Sequence, residues 1–213
     1  MNFDIAFLSS GNVATPFALS LTETIRTYPT TSIFYEQSKK IVFQKNFITR
    51  YWLNHSTKEW LLWTDADMSW TPQDIQTLTN TAAEPGIFSG LWFHHSHDGH
   101  IYPGFFPSRK DDNVYAVMTE HLEFPTDQPF QVEATGGGFM FVHRQVFETL
   151  NDPDTDYPFF EVRSAPVTGY SQMFCIRAKD AGFPIVIEPR AQIGHNETIA
   201  LTREHYNRHW SVK

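Results

Sequence analysis

Apolar residues along this chain come in short blocks with two different spacings, and the two spacings alternate. Phe3 to Leu8, apolar except for Asp4, reads as a buried strand, and it ends in the polar loop Ser9-Ser10-Gly11-Asn12. Pro16 then opens a stretch in which Phe17, Leu19, Leu21 and Ile25 predict a helix. Thr31–Tyr35 predicts a second short strand, and Ile41–Leu53 a second helix, with Ile41, Phe47, Ile48, Tyr51 and Trp52 at helical spacing. The strand Trp60–Thr64, the helix Pro72–Ala82 and the strand Gly86–Trp92 follow. Strands alternating with helices in this way predict βαβ units and a largely parallel sheet.

The pattern then changes. Residues 93–130 are rich in His, Pro, Gly and Asp, with short candidate strands at His100–Tyr102, Val114–Val117 and His121–Phe124. This predicts a hairpin- and loop-rich insertion beside the main sheet. Gln131–Thr135 and Phe139–Val142 flank the triplet Gly136-Gly137-Gly138. Helices are expected at Gln145–Leu150 and Ser171–Ala181, and a late strand at Pro184–Ile187 leads to Gly194-His195. There is no internal repeat, low-complexity tract or linker, so residues 1–213 read as a single α/β domain.

Composition narrows the function classes. At 213 residues the chain can bury a sizeable core, and 15% aromatic against 19% charged residues points away from disorder. A net charge of −8 argues against a broad nucleic-acid footprint. Two basic groups, Lys39, Lys40, Lys45 and Arg50 and then Arg203, Arg208 and Lys213, read as solvated helix faces. Cys175 is the only cysteine, which excludes an intrachain disulfide, and its setting in Met173-Phe174-Cys175-Ile176 reads as core. No secretory leader or membrane-length apolar run is visible, so a soluble, cytoplasmic protein is expected.

The segment Trp60-Leu61-Leu62-Trp63-Thr64-Asp65-Ala66-Asp67-Met68 carries the strongest chemical signal. A buried-strand pattern runs directly into two carboxylates one residue apart, and Pro72 then opens a helix. In extended backbone, positions i and i+2 share a side, so Asp65 and Asp67 are placed to converge on one cation. Hard divalent ions such as Mg²⁺ and Mn²⁺ take oxygen ligands and commonly hold substrate phosphates too. An isolated Asp-x-Asp also serves as a turn or helix cap. His94-His95-x-His97-x-x-His100 raises zinc as a second idea. The missing cysteines and Gly99 favour a polar hairpin facing substrate instead.

Taken in order, these features resemble the GT-A glycosyltransferases, nucleotide-sugar-dependent enzymes with an Asp-x-Asp motif. The resemblance rests on the first strand and loop through Asn12, the Lys45-Asn46 pair, and Leu62-Trp63-Thr64-Asp65-Ala66-Asp67-Met68. It continues through Gly136-Gly137-Gly138-Phe139-Met140, Phe174-Cys175-x-Arg177-Ala178-x-x-x-Gly182 and Gly194-His195. It implies a mixed, mainly parallel sheet flanked by helices, and Mn²⁺ or Mg²⁺ as cofactor. It further implies Asp67 as principal metal ligand, Asp65 on the ribose or the metal, and His195 as a late additional ligand. The first-strand loop would receive the nucleotide, because open α/β sheets bind ligands beyond the carboxyl ends of their strands. Asn12, Thr15 and Asn46 are then candidates by position. A helix cap for Asn12 and an internally satisfied polar group for Asn46 are the competing readings. Gly137, within Gly136–Gly138, allows close backbone approach to the sugar or acceptor, or marks a strained turn or bulge.

One position departs from the family pattern. Inverting members often carry Gly-Glu-Asp at the start of the helix before Phe-Cys, and the acidic pair supplies a catalytic base. This chain has Gly169-Tyr170-Ser171, neither of whose side chains is a ready base near neutral pH. Glu161 is then the preferred base, with Asp156 behind it; retention of anomeric configuration and loss of activity are the other two explanations. Trp92, Phe105 and Tyr170 are candidates for stacking on sugar or acceptor rings, with buried core the stronger reading for Trp92. The expected activity is metal-dependent sugar transfer from a nucleotide-sugar to a hydroxyl acceptor. A glycan, a small molecule, a protein and a modified DNA base all qualify as acceptor. A metal-dependent nucleotidyltransferase or pyrophosphatase, and a degenerate nucleotide- or glycan-binding protein, are the alternatives.

Overall fold

The computed structural model describes residues 2–38, 40–95, 100–110, 114–115, 123–161 and 169–198. Seven strands form its main sheet: β1 Phe3–Ser9, β2 Ile33–Gln37, β3 Trp60–Asp65, β4 Ile87–Leu91, β5 Phe130–Gln131, β6 Phe139–His143 and β7 Ile185–Gln192. Their spatial order is β5-β7-β4-β6-β3-β1-β2. The helices are α1 Thr15–Thr27, α2 Ile41–His55, α3 Pro72–Thr81, α4 Arg144–Leu150 and α5 Tyr170–Asp180. β1, β2, β3, β4 and β7 share one direction because helices carry the chain back between most of them. β6 arrives from the insertion instead, and runs antiparallel between β3 and β4. β5 adds an antiparallel edge on β7. The sheet is therefore mainly parallel, as the alternating pattern predicts, and mixed, as the family resemblance implies.

The fully apolar run of β3 fits its position at the centre. Leu61 and Trp63 pack on the side of α2, α4 and α5 with Trp52, Phe147 and Phe174. Trp60 and Leu62 pack on the other side with Phe17, Trp70, Ile75 and Leu78 of α1, α3 and their approach. A strand covered on both faces has no polar alternation to show. Below it, Asp4 is 1% exposed and accepts from Trp52 Nε1 at 2.9 Å and the Ser32 amide at 2.8 Å, fixing α2 to β1. Buried charge of this kind is tolerated because its lone pairs are filled. α3 begins with a capping box between Thr71 and Asp74, each satisfying an otherwise orphaned backbone amide.

Several expectations shift. The helical spacing of α2 suggests that Phe47 and Tyr51 face the core, yet they are 50% and 48% exposed. The buried residues are Lys45, Asn46, Ile48, Thr49 and Trp52, so polar residues occupy inward positions and disguise the register. Lys45 is thus not on a solvated face. The Gln131–Thr135 strand divides into β5 and the separate pair Ala134–Thr135, which joins Phe105–Phe106. The insertion contains the expected hairpin, with Phe93–His95 antiparallel to Ile101–Pro103, and a two-residue pair at 109–110 and 114–115. His97, Lys39, Arg203, Arg208, Lys213 and the proposed strand start at His121 lie outside the described residues. Among the described residues, no helix is long and apolar enough to cross a membrane.

Candidate active site at the carboxyl ends of β1 and β3

β1 and β3 run parallel and in register, with Leu8 opposite Asp65, so both chains leave the sheet at the same edge. There they enclose a cleft of about 670 Å³ lined by Ser9, Ser10, Asn12, Ser38, Asp65, Asp67 and Tyr170 among others. The β1 loop is shaped by Gly11, whose φ of +125° is a left-handed conformation that side chains avoid. Its amide donates to Ser9 Oγ, which itself donates to the Asn12 carbonyl at 2.7 Å. The Ala14 amide then bonds the Ala66 carbonyl at 2.9 Å, tying this loop to the acidic one. Thr15 begins α1 and is exposed, away from the cleft lining.

Asp65 closes β3, but Ala66 and Asp67 form a turn before the short strand Met68–Ser69. The two carboxylates therefore do not share a strand face, and the turn sends them to different neighbours. Asp65 lies 3.8 Å from the Nζ of Lys45. Although 43% of its side chain is accessible, the surrounding protein removes enough water to push the Asp65 carboxyl up. Lys45 opposes that shift and Asp67 reinforces it. Asp67 has its Oδ2 3.5 Å from His195 Nε2, and this hydrogen bond holds its carboxyl below the ordinary range against the effect of burial. Its Oδ1 is buried with no hydrogen-bond partner.

His195 reaches this place because Gly194–His195 pairs antiparallel with Met68–Ser69. Asn196 completes the junction, donating from its amide (2.8 Å) and its side chain (2.7 Å) to the Asp67 carbonyl. A substituent on Gly194 would collide with Ser69 Oγ. His195 Nδ1 is 3.2 Å from the Phe93 carbonyl and 3.4 Å from Glu197 Oε1. A carbonyl only accepts, so the first bond puts a hydrogen on Nδ1 and turns Nε2 toward Asp67. Asp67 is the main reason the imidazole pKa is raised above 6.5, with Glu197 adding to it and burial opposing.

The remaining candidates divide between cleft and scaffold. Asn46 is 1% exposed: its Nδ2 donates to the carbonyls of Val42 (2.8 Å) and Phe160 (2.7 Å). Its Oδ1 accepts from the amides of Phe159 and Phe160 at 2.9 and 3.1 Å. That amide is committed to the segment leading into Glu161 and is absent from the cleft lining. Glu161 sits with a carboxylate oxygen 4.0 Å from Arg177, also outside the lining. Gly137 faces α5 and Lys45: a Cβ there would overlap Ser171 Oγ and lie 3.5 Å from Lys45 Nζ. Gly136 is packed against Trp92 and Gly138 against Met68. None of the three has a positive φ, so tight packing replaces the strained turn considered from sequence. Trp92 and Phe105 are core, at 8% and 1% exposure, and only Tyr170 of the three aromatic candidates lines the cleft. Cys175 is fully buried, its thiol pushed up to about 12 by desolvation.

Lys45 is the main feature that the sequence reading assigned elsewhere. Its side chain is 1% exposed, its Nζ donates to the Gly137 carbonyl at 3.4 Å, and the rings of Trp63, Tyr170 and Phe160 stand 5.0, 5.4 and 5.5 Å from it. The available signal was its spacing with Ile48, Thr49 and Trp52, which places it on the inward face of α2.

The donor set suits a hard divalent cation in part. Two carboxylates line the cleft, the His195 imidazole stands 3.5 Å from Asp67 Oδ2, and Asp67 Oδ1 is a buried oxygen with no hydrogen-bond partner among the described residues. Among the described residues, no three His, Cys, Asp or Glu side chains are grouped closely enough to hold a metal by themselves. Further ligands would have to come from water or substrate oxygens, which is common for Mg²⁺-type ions.

This arrangement, a mixed sheet with an acidic turn after a central strand and an open cleft beside it, is a GT-A-like fold. No protein-family model matches the chain, and no curated protein matches it in sequence. Among solved structures, A197 from STIV has a TM-score of 0.57 at 14% identity, over 96% of this chain and 100% of that one. GalNAc-T7 with UDP, GalNAc and Mn²⁺ has a TM-score of 0.54 at 12% identity, over 91% of this chain but 43% of its own. The mannosyltransferase PcManGT from Pyrobaculum calidifontis, in complex with GDP-Man and Mn²⁺, has a TM-score of 0.54 at 11% identity, over 97% and 59%. The fold likeness extends to the inositol-1-phosphate CTP transferase from T. maritima, with a TM-score of 0.50 at 10% identity over 97% and 94%. At these identities the likeness establishes the fold, and chemistry must be argued from the site.

Proposed function

We propose that this protein is a metal-dependent glycosyltransferase, moving a sugar from a nucleotide-sugar to a hydroxyl acceptor. The observation that carries this reading is the cleft itself. It joins the β1 loop to the Asp65–Asp67 turn, where Asp67 has one carboxylate oxygen beside His195 and the other buried without a hydrogen-bond partner. In this assignment the base and ribose lie against Ser9, Ser10 and Asn12, and the diphosphate lies toward Asp65 and Asp67. Asp67 and His195 hold Mn²⁺ or Mg²⁺, with Asp65 on the metal or the ribose. The metal, when bound, supplies Lewis-acid neutralisation of the diphosphate leaving group.

The chain's own residues then position and exclude. Tyr170 and the β1 loop wall the cleft, and Gly137 lets α5 approach closely enough to bring Tyr170 there. Transfer breaks the bond between the anomeric carbon and the diphosphate oxygen, forms one to the acceptor oxygen, and releases the acceptor proton. Glu161 is the assigned base for that proton, and Asn46 acts through Phe159 and Phe160 to place it. Glu161→Gln should leave donor binding intact and remove transfer.

The reading agrees with the fold similarity to GalNAc-T7 and PcManGT, whose structures contain UDP and GDP-Man with Mn²⁺. A nucleotidyltransferase, the activity named for the T. maritima neighbour, would release pyrophosphate from a nucleoside triphosphate instead of a nucleoside diphosphate from a sugar donor. A thermal-shift panel of nucleotide-sugars with and without Mn²⁺ tests the proposal, because a ligand selective for the folded state raises apparent stability. A Mn²⁺-dependent shift with one donor is expected. Shifts with nucleoside triphosphates alone would move the assignment to nucleotidyl transfer, and no shift at all would favour a degenerate member of the fold.

A further inference from the structure

A lysine side chain at 1% exposure is unusual, since ammonium groups are seldom fully buried without a partner. Among the described residues, Lys45 Nζ has two oxygen neighbours, the Gly137 carbonyl at 3.4 Å and Asp65 Oδ1 at 3.8 Å. The remaining surroundings are the rings of Trp63, Tyr170 and Phe160. Three aromatic faces attract a cation and also fix where it can sit. Each element of this cage is itself anchored. Trp63 is in β3, Phe160 is held by Asn46, and Tyr170 starts α5. The ammonium is thereby locked 3.8 Å from the Asp65 carboxylate.

We propose that Lys45 is a positioning residue for the cleft, a fixed cation behind Asp65 that holds its carboxylate aimed at the donor's metal–diphosphate group. This rests on the glycosyltransferase reading and adds to it a residue that does not line the cleft. Two opposite effects of the charge can be separated by chemistry. A lysine near a bare divalent ion repels it, whereas a lysine that secures a liganding carboxylate beside an anionic metal–nucleotide complex strengthens binding. The cage geometry favours the second effect, because three aromatic rings hold the ammonium between the Gly137 carbonyl and Asp65. Partners that orient metal-binding carboxylates from behind are typically worth about 10–100-fold in affinity.

The test uses the full chain and measures Mn²⁺ binding by electron paramagnetic resonance in the presence of UDP and, in parallel, of GDP. Lys45→Met retains the apolar stem and removes the charge; Asp65→Asn removes the group it serves. Lys45→Met should weaken binding by about tenfold or more, and should weaken it no further when Asp65 is already Asn, which is the coupling expected of residues acting together. Equal losses in both backgrounds, no loss, or tighter binding in Lys45→Met would each overturn the proposal. Should Lys45→Met fail to fold, Lys45→Arg and Lys45→Gln replace it. Arg, which keeps the cation, must bind within a few-fold of the native chain (about fivefold), and Gln must lose affinity; equal affinities would overturn the proposal. If the native chain binds Mn²⁺ with neither nucleotide, the glycosyltransferase reading itself fails and this inference falls with it. Binding that survives in Lys45→Met removes only the inference.

Discussion

Asp65 and Asp67 are one residue apart and chemically identical, yet the fold treats them oppositely. Asp65 ends a central strand and faces a caged lysine from α2, and its pKa is raised mainly by loss of water. Asp67 lies in the following turn and faces a histidine from the end of the described chain, and its pKa is lowered mainly by that hydrogen bond. The Asp65 side of the cleft therefore joins β1, α2 and β3 to Gly137, Phe160 and Tyr170. The other is completed only when residues 194–196 pair with Met68 and Ser69. The lesson is that an Asp-x-Asp motif gives two carboxylates, but long-range partners decide what each one does.

The largest effect that would break this comparison is at Asp67. On the proposed assignment, Asp67→Ala abolishes the Mn²⁺-dependent thermal shift with donor, a stabilisation of about 2.7 kcal/mol when ligand is at 100 times its dissociation constant. Asp65→Ala should reduce the shift and leave part of it. Equal losses in both variants would erase the distinction between the two carboxylates.

Asn46→Ala comes next and bears on the Asp65 side alone. It leaves the buried amides of Phe159 and Phe160 without their acceptor, at a cost of roughly 2–4 kcal/mol in urea unfolding. The His195 resonances should be unchanged, since the Asp67 side does not depend on that segment. A loss below about 1 kcal/mol would mean that water replaces the amide there.

The smallest effect concerns pH. His195 has a raised pKa, so its contribution to stability is complete below its unfolded value near 6.5 and fades as pH rises through the folded one. Asp67 has a lowered pKa, so its contribution is complete above its unfolded value near 3.8 and fades as pH falls through the folded one. The metal-free pair therefore stabilises most between those values. With Asp67 half exposed, the difference between native and Asp67→Asn chains should be under about 1 kcal/mol in that window and should vanish in mild alkali. In the same experiment, NMR titration of His195 should move down toward its ordinary value in Asp67→Asn and stay raised in Asp65→Asn.

How much of this was legible in the sequence depended on distance along the chain. The five parallel strands and five helices followed from apolar periodicity, with boundaries displaced by a few residues, as in β2 and β7. The acidic turn was visible because the β3 run is unbroken. The spatial company of Asp65 was not, because Lys45 looked like one of a basic group on a solvated face. Only the three-dimensional closure of Trp63, Phe160 and Tyr170 around it reveals a buried cation. Asn46 read equally well as a ligand contact or a satisfied helix polar, since spacing cannot tell which way an amide is committed. The glycine triplet stood out in the sequence for close approach to a sugar or acceptor, whereas the neighbours packed against it, Trp92, Ser171 and Met68, come from distant segments that spacing does not reveal. The antiparallel insertion of β6 also escaped, because periodicity carries no strand direction.

The most direct measurement is a crystal structure grown with Mn²⁺ and a nucleoside diphosphate, with the metal located by anomalous scattering. The account predicts a Mn²⁺ peak bonded to the Asp67 carboxylate at roughly 2.0–2.3 Å, with diphosphate oxygens on the metal and the base against the Ser9–Asn12 loop. A nucleotide lying in the cleft with Asp67 still paired to His195 and no metal beside it would contradict the account.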